Sequence, residues 1–128
     1  ACLSLFENSS SKLKDIISIS DARVLQGHPG KIAYMATKAA LENMTLSFAQ
    51  AYAPDIKVNA IAPALLSFHK HDSPAYRQAR LERLLLPIEP GAQVLCQAID
   101  YLMASPYSTG TILRLDGGSH LIGQRLDK

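Results

Sequence analysis

Apolar residues recur along this chain in two rhythms. Asp15–Ser20 and Ile56–Ile61 are short and mostly apolar, with no regular alternation of polar side chains. That content and length predict strands of a parallel sheet covered on both faces. Between them, Ile32 to Tyr52 carries Leu41, Met44 and Phe48 at intervals of three and four. Such spacing predicts a helix with one apolar stripe, suited to core or subunit contact, and Pro54 ends it. Ala1–Asn8 has the pattern of a helix end, followed by a polar loop at Ser9–Lys12. Pro63–Ser73 is irregular, Pro74–Leu86 helical, and Pro90 suits the first turn of a helix running to about Ala104. Ser105-Pro106 breaks that helix, and Thr111–Leu115 is the last strand. Strand–helix–strand–helix–strand implies an α/β fold: a doubly wound parallel sheet with right-handed crossovers. There are no repeats, low-complexity segments or internal domain boundaries.

Composition narrows the class. Apolar residues make up 48% and charged residues 19%, enough to build a core and too apolar for a disordered chain. A net charge of +2 is too small to imply nucleic acid or an acidic membrane as partner. The longest mostly apolar run, Val58–Phe68, is too short to span a bilayer, and the N-terminus lacks a signal-peptide layout. Cys2 and Cys96 fall in different elements and are expected as free buried thiols of a cytoplasmic protein. No Cys/His cluster has zinc-site spacing.

The chemistry is concentrated between the first two strands. Tyr34 and Lys38 are four residues apart, so on a helix both side chains leave the same face. An ammonium beside a phenol favours the phenolate, which makes Tyr34 an acid able to exchange a proton with a substrate. Taken alone, the pair also fits a surface lysine lying over a tyrosine. Context adds weight: Asp21 follows the first strand and precedes Tyr34 by thirteen residues, and Asn59-Ala-Ile-Ala-Pro63 follows the helix. In a doubly wound sheet the ligand lies outside the carboxyl ends of the strands, where Asp21 and Pro63 fall.

Four motifs in order, the Ile16–Ser20 strand, Tyr34-Met-Ala-Thr-Lys38-Ala-Ala-Leu, Val58-Asn-Ala-Ile-Ala-Pro63 and Leu115-Asp-Gly-Gly118, resemble the C-terminal half of the short-chain dehydrogenase/reductase family. The resemblance covers nearly the whole chain. It implies a Rossmann-like sheet of which residues 1–128 are the C-terminal part of one domain. The N-terminal nucleotide-binding half, with its glycine-rich phosphate loop, has no counterpart here. Gly27-His-Pro-Gly30 lacks the Gly-x-Gly approach to a pyrophosphate and reads as the turn that starts the Tyr34 helix. The chain departs from the family twice: Asp21 stands where most members have serine, and Ala64 stands where they have glycine. An aspartate there, with the stretch Pro63-Ala-Leu-Leu-Ser-Phe-His-Lys-His-Asp72 and Ala75-Tyr-Arg-Gln78, looks like the pteridine reductase branch, including bacterial dihydromonapterin reductases.

Roles follow from that resemblance. Tyr34 is the proton donor; Lys38 favours its phenolate and hydrogen-bonds the nicotinamide ribose. Backbone from Pro63 through Ala64 and Leu65 to Leu66 holds the nicotinamide carboxamide, and Ser20 lines the cofactor pocket. The family also implies a second subunit against the tyrosine helix, hence a homodimer or homotetramer. Asp21 fits a pterin better than a ketone. A carboxylate repels a developing alkoxide but accepts the N–H and amino donors of a pterin ring, whose C=N bond needs a proton at nitrogen, so Asp21 can orient the ring or take a catalytic part by relaying a proton through Tyr34. The other reading of Asp21 is a loop aspartate that caps a nearby amide.

His69, His71 and Asp72 lack a third metal partner and suit a flap or plain surface. Tyr76 either touches substrate from that flap or packs, and Arg77, Arg80 and Arg83 share one helix face that suits solvent, with phosphate binding as the alternative. The expected function is an NADP(H)-dependent reductase of pterin-type substrates, with hydride delivered to carbon and a proton from Tyr34. The alternatives are a carbonyl or alcohol oxidoreductase using Asp21 in place of serine, and a catalytically silent relative serving as an assembly partner.

Overall fold

The computed structural model describes residues 3–10 and 14–124. Three parallel strands, β1 (Lys14–Ile19), β2 (Ile56–Pro63) and β3 (Ile112–Leu115), form one sheet in the order β1-β2-β3. Around them lie α1 (Leu3–Glu7), α2 (Ile32–Tyr52), α3 (Pro74–Leu81) and α4 (Gln93–Ala104). Pairing runs Lys14 to Ile56 through Ile19 to Ile61, and Ala60 to Ile112 through Pro63 to Leu115.

The central strand explains the layers. β2 is buried along nearly its whole length, and its side chains alternate between two faces. Ile56 and Val58 pack with Ala49 and Tyr52 of α2, with Phe6 and with Ile16. Ile61, facing the other way, packs with Ala98 and Leu102 of α4 and with Leu113 and Leu115. Helices therefore cover both faces, and the expected α/β doubly wound sheet is what the chain forms. Among the described residues no helix is long and apolar enough to cross a membrane.

Several boundaries differ from those expected. The helix after Pro74 stops at Leu81 rather than Leu86, because the Leu85 and Leu86 amides donate to the Gly117 carbonyl at 2.8 and 3.0 Å instead of continuing the helix. Arg83 consequently lies in a turn and not on the face shared by Arg77 and Arg80. α4 starts at Gln93 rather than Pro90, since Gly91 has φ +74° and gives its amide to Leu66 O. β1 is half-buried along Lys14–Ser18, with Ile19 exposed; Ile16 packs on the α2 side and Ile17 on the α4 side, while one edge of the strand has no partner strand among the described residues. The stripe on α2 faces a groove of about 420 Å³ shared with Leu3, Phe6 and Ile16, and Met44 and Phe48 remain partly exposed there. Cys96 is exposed rather than buried, because α4 turns Ala98 and Leu102 inward instead; Cys2 lies outside the described residues.

Candidate active site

β1 ends where the candidate site begins. Past Ile19 the chain turns into two 3-10 segments, Ala22–Leu25 and Pro29–Lys31, before α2 starts at Ile32. Gly27 takes φ +70° between them, a left-handed conformation that favours glycine. His28 Nδ1 then accepts from Gly30 N at 3.2 Å and caps the second segment. The Gly27–Gly30 turn thus delivers the chain to the head of α2, as the sequence implied.

Tyr34 and Lys38 lie one turn apart in α2, and the Lys38 ammonium sits 5.6 Å from the Tyr34 ring centroid. Lys38 also donates to Ile19 O at 2.7 Å, so the ammonium is held between the phenol ring and the carboxyl end of β1. Among the described residues, its other two protons have no acceptor. Tyr34 is 44% exposed and open to a ligand. A second ammonium, Lys31 Nζ, lies 5.9 Å from the same ring. Lys31 was not singled out in the sequence; it stands three residues before Tyr34, at the cap of α2.

Asp21 is buried, at 9% exposure. Its Oδ1 accepts from Arg23 N at 2.9 Å, capping the first 3-10 segment, and lies 3.6 Å from Arg23 Nε. The amide-capping reading therefore describes one of its oxygens. Oδ2 has no hydrogen-bond partner among the described residues. The segment Asp21 caps packs against α2, which brings the carboxylate to the tyrosine helix. Ser20, buried, donates its Oγ to Glu42 Oε1 at 2.7 Å. It is spent on fastening β1 to α2, and Glu42 is a second residue the sequence reading missed. Its signal is again spacing, since Tyr34, Lys38 and Glu42 follow one another at four-residue intervals.

The far wall comes from the end of β2. Pro63 pairs with Leu115, and Ala64 N donates to Leu115 O at 3.0 Å. Leu66 O accepts from Gly91 N at 2.8 Å, while the amides of Leu65 and Leu66 hydrogen-bond to nothing among the described residues. Backbone amides left unspent are free to donate to an acceptor oxygen of a ligand. Asn59 braces this strand from within: fully buried, it donates Nδ2 to Ser108 O at 2.8 Å and accepts from Thr111 N at 3.0 Å. The next turn hangs on Asp116, which accepts from Gly118 N, Ser119 Oγ, His120 N and His120 Nδ1. Burial pushes the Asp116 carboxyl up, but the hydrogen bonds together outweigh it and hold it below its ordinary value. Gly118, at φ +76°, lies under Leu85, whose Cδ1 and Cβ would stand 2.9 and 3.0 Å from any added Cβ.

His69, His71 and Asp72 do not gather into a metal site; among the described residues no cluster of His, Cys, Asp or Glu does. Asp72 Oδ2 instead accepts from His69 N at 2.9 Å and closes a turn. Tyr76 packs edge-on to Phe68 and is half exposed.

A family model described as enoyl-(acyl carrier protein) reductase matches residues 1–120. Over 107 residues the chain is 49% identical to dihydromonapterin reductase of Escherichia coli O6:K15:H31, covering 84% of this chain and 45% of that protein. Against the dihydromonapterin reductase of Klebsiella pneumoniae the identity is 50% with the same coverage. The chain thus spans about half the length of the curated relatives it matches. The crystal structure of FolM alternative dihydrofolate reductase 1 from Brucella canis, complexed with NADP, superposes with a TM-score of 0.81 at 28% identity. That match covers 99% of this chain and 50% of the other.

Proposed function

The chain belongs to the short-chain dehydrogenase/reductase family, and from that membership we propose that the protein is an NADPH-dependent reductase of pterin-type substrates, taking a dihydropterin to a tetrahydropterin. The observation that carries this reading is the buried carboxylate of Asp21, in register with Tyr34 and Lys38 and with one oxygen unspent. Identity near one half to two dihydromonapterin reductases supports it, as does likeness to a solved relative complexed with NADP.

The residues present fit the nicotinamide end of a dinucleotide. Lys38 has two protons free for ribose hydroxyls, and Leu65 and Leu66 have amides free for a carboxamide. When bound, the reduced nicotinamide supplies a hydride. Tyr34 Oη donates a proton to the ring nitrogen of the substrate, and the Lys38 ammonium stabilises the negative charge left on the phenol oxygen. Asp21 Oδ2 accepts N–H or amino protons of the pterin and sets the ring's orientation. The partly exposed stripe on α2 supports its packing against a second subunit in a homodimer or homotetramer.

The test is to follow NADPH oxidation by the full-length protein with dihydromonapterin and simpler dihydropterins, alongside a panel of ketones. Turnover confined to the pterins is expected. Ketone reduction with no pterin turnover would overturn the proposal.

A further inference from the structure

The three arginines after β2 are used differently. Arg77 donates to Asp72 O at 3.2 Å and His69 O at 2.9 Å and lies 5.2 Å from the Phe68 ring centroid, so it holds the loop. Arg80 and Arg83 hold nothing: among the described residues neither guanidinium has an acceptor or a carboxylate. The acid between them, Glu82, accepts from Gln78 Nε2 instead. Both arginines line a cavity of about 510 Å³, together with Arg23, His28, Ala64 and Ser119.

None of the described residues lining that cavity is acidic. Of its lining residues, Arg23 faces Asp21, 3.6 Å from Nε, and Ser119 donates to Asp116 at 3.1 Å, while the Arg80 and Arg83 guanidinium groups have no carboxylate partner among the described residues. Because His28 Nδ1 accepts from Gly30 N, the neutral ring carries its proton on Nε2, a further donor. Planar forks of fixed N–H donors match the oxygens of a carboxylate or a phosphate. The location matters as much as the charge. Arg23 is two residues beyond Asp21 and Ala64 directly follows Pro63, so the cavity adjoins the place given above to the pterin ring.

We propose that this cavity receives an anionic substituent, carboxylate or phosphate, carried on the side chain of the pterin-type substrate, with Arg80 and Arg83 as the residues that select it. This rests on the pterin reading of the same site. The experiment compares, in the full-length protein, a neutral dihydropterin, one bearing a phosphate ester and one bearing a dicarboxylate tail. In the Arg80→Gln/Arg83→Gln variant the ratio of anionic to neutral kcat/KM should fall about tenfold or more, the value of a charged hydrogen bond. Whichever anionic substrate loses more identifies the source of the charge. A ratio unchanged by the double substitution overturns the anion subsite and leaves the pterin reading standing. A wild-type protein that reduces none of the three overturns both. Should the double variant fail to fold, salt acts on the wild type alone: KM must rise with ionic strength for anionic substrates more than for the neutral one. An equal rise overturns the proposal.

Discussion

Asp15 and Lys57 are register partners across the β1–β2 ladder, and they form an ion pair in which no hydrogen bond is made. Lys57 Nζ lies 3.1 Å from Asp15 Oδ1, yet it donates to Leu102 O, Met103 O and Ser105 O at 2.8, 3.3 and 2.7 Å. An ammonium has three protons, and the carboxyl end of α4 takes all of them. Those carbonyls belong to the last turn and its cap, which a helix cannot pair for itself. Lys57 thus closes α4 onto the sheet, and Asp15 balances its charge.

It follows that Lys57→Met should cost about 3 kcal/mol or more, as when one partner of a buried pair is lost. Asp15→Asn should cost markedly less, because no proton changes hands. Urea midpoints of the two variants decide the matter, and the reverse order would mean that the charge pair, not the carbonyl cap, dominates.

For Tyr34→Phe the expectation is a fall in kcat on the order of 10²–10⁴ from loss of the proton donor. NADPH affinity should change little, since the ring and Lys38 remain. Titration of cofactor fluorescence beside steady-state kinetics separates the two, and near-normal turnover would remove Tyr34 from the chemistry.

Asp21→Ser should harm dihydropterin reduction far more than any carbonyl activity. The serine hydroxyl can still cap Arg23 N, so the turn persists while the carboxylate that meets the ring donors is gone. Both substrate classes assayed on both proteins give the answer; equal losses would separate Asp21 from pterin recognition.

Asn59→Leu keeps the volume of a fully buried side chain but strands Ser108 O and Thr111 N. The loss should be about 2 kcal/mol or more, the penalty for buried groups left unpaired. A drop in urea midpoint, with hydrogen exchange accelerated first around 108–111, is the expected signature.

Asp116 makes the fold sensitive to acid. Its carboxyl is held below the ordinary value of 3.8, so its contribution is complete above that value and is lost as pH falls through the lower, folded one. Asp116→Asn should therefore be less stable at neutral pH yet lose less on acidification below about 3.8. Urea midpoints taken downward in pH for both proteins should converge.

Local rules made much of this legible. The bounds of Ile32–Tyr52 are legible because its stripe lies within the segment and Pro54 follows it by two residues, and helical spacing puts Tyr34 and Lys38 on one face. What sequence could not show is where distant backbone intervenes. The Gly117 carbonyl, some thirty residues downstream, captures the Leu85 and Leu86 amides and ends α3 early. Lys57 looked like one polar position in a strand because its three acceptors lie more than forty residues away. Arg23 beside Asp21 carried no signal, since nothing in its neighbourhood marks it as the partner of a buried carboxylate.

Lys38 grips Ile19 and Glu42 grips Ser20, so the last residue of β1 and the one after it are pinned to consecutive turns of α2. Two such pins fix both the height and the rotation of the helix against the strand. The polypeptide between Ala22 and Lys31, two short 3-10 segments joined at Gly27, is then a tether whose length does not alone set where the phenol stands. One residue inserted or removed near Gly27 should leave Tyr34 aligned with the strand end, whereas one inserted between Tyr34 and Lys38 would swing the phenol about 100° around the helix axis. The thirteen-residue interval that marks this site in the sequence is thus a by-product of the tether, and the interval of four is the one the chemistry demands.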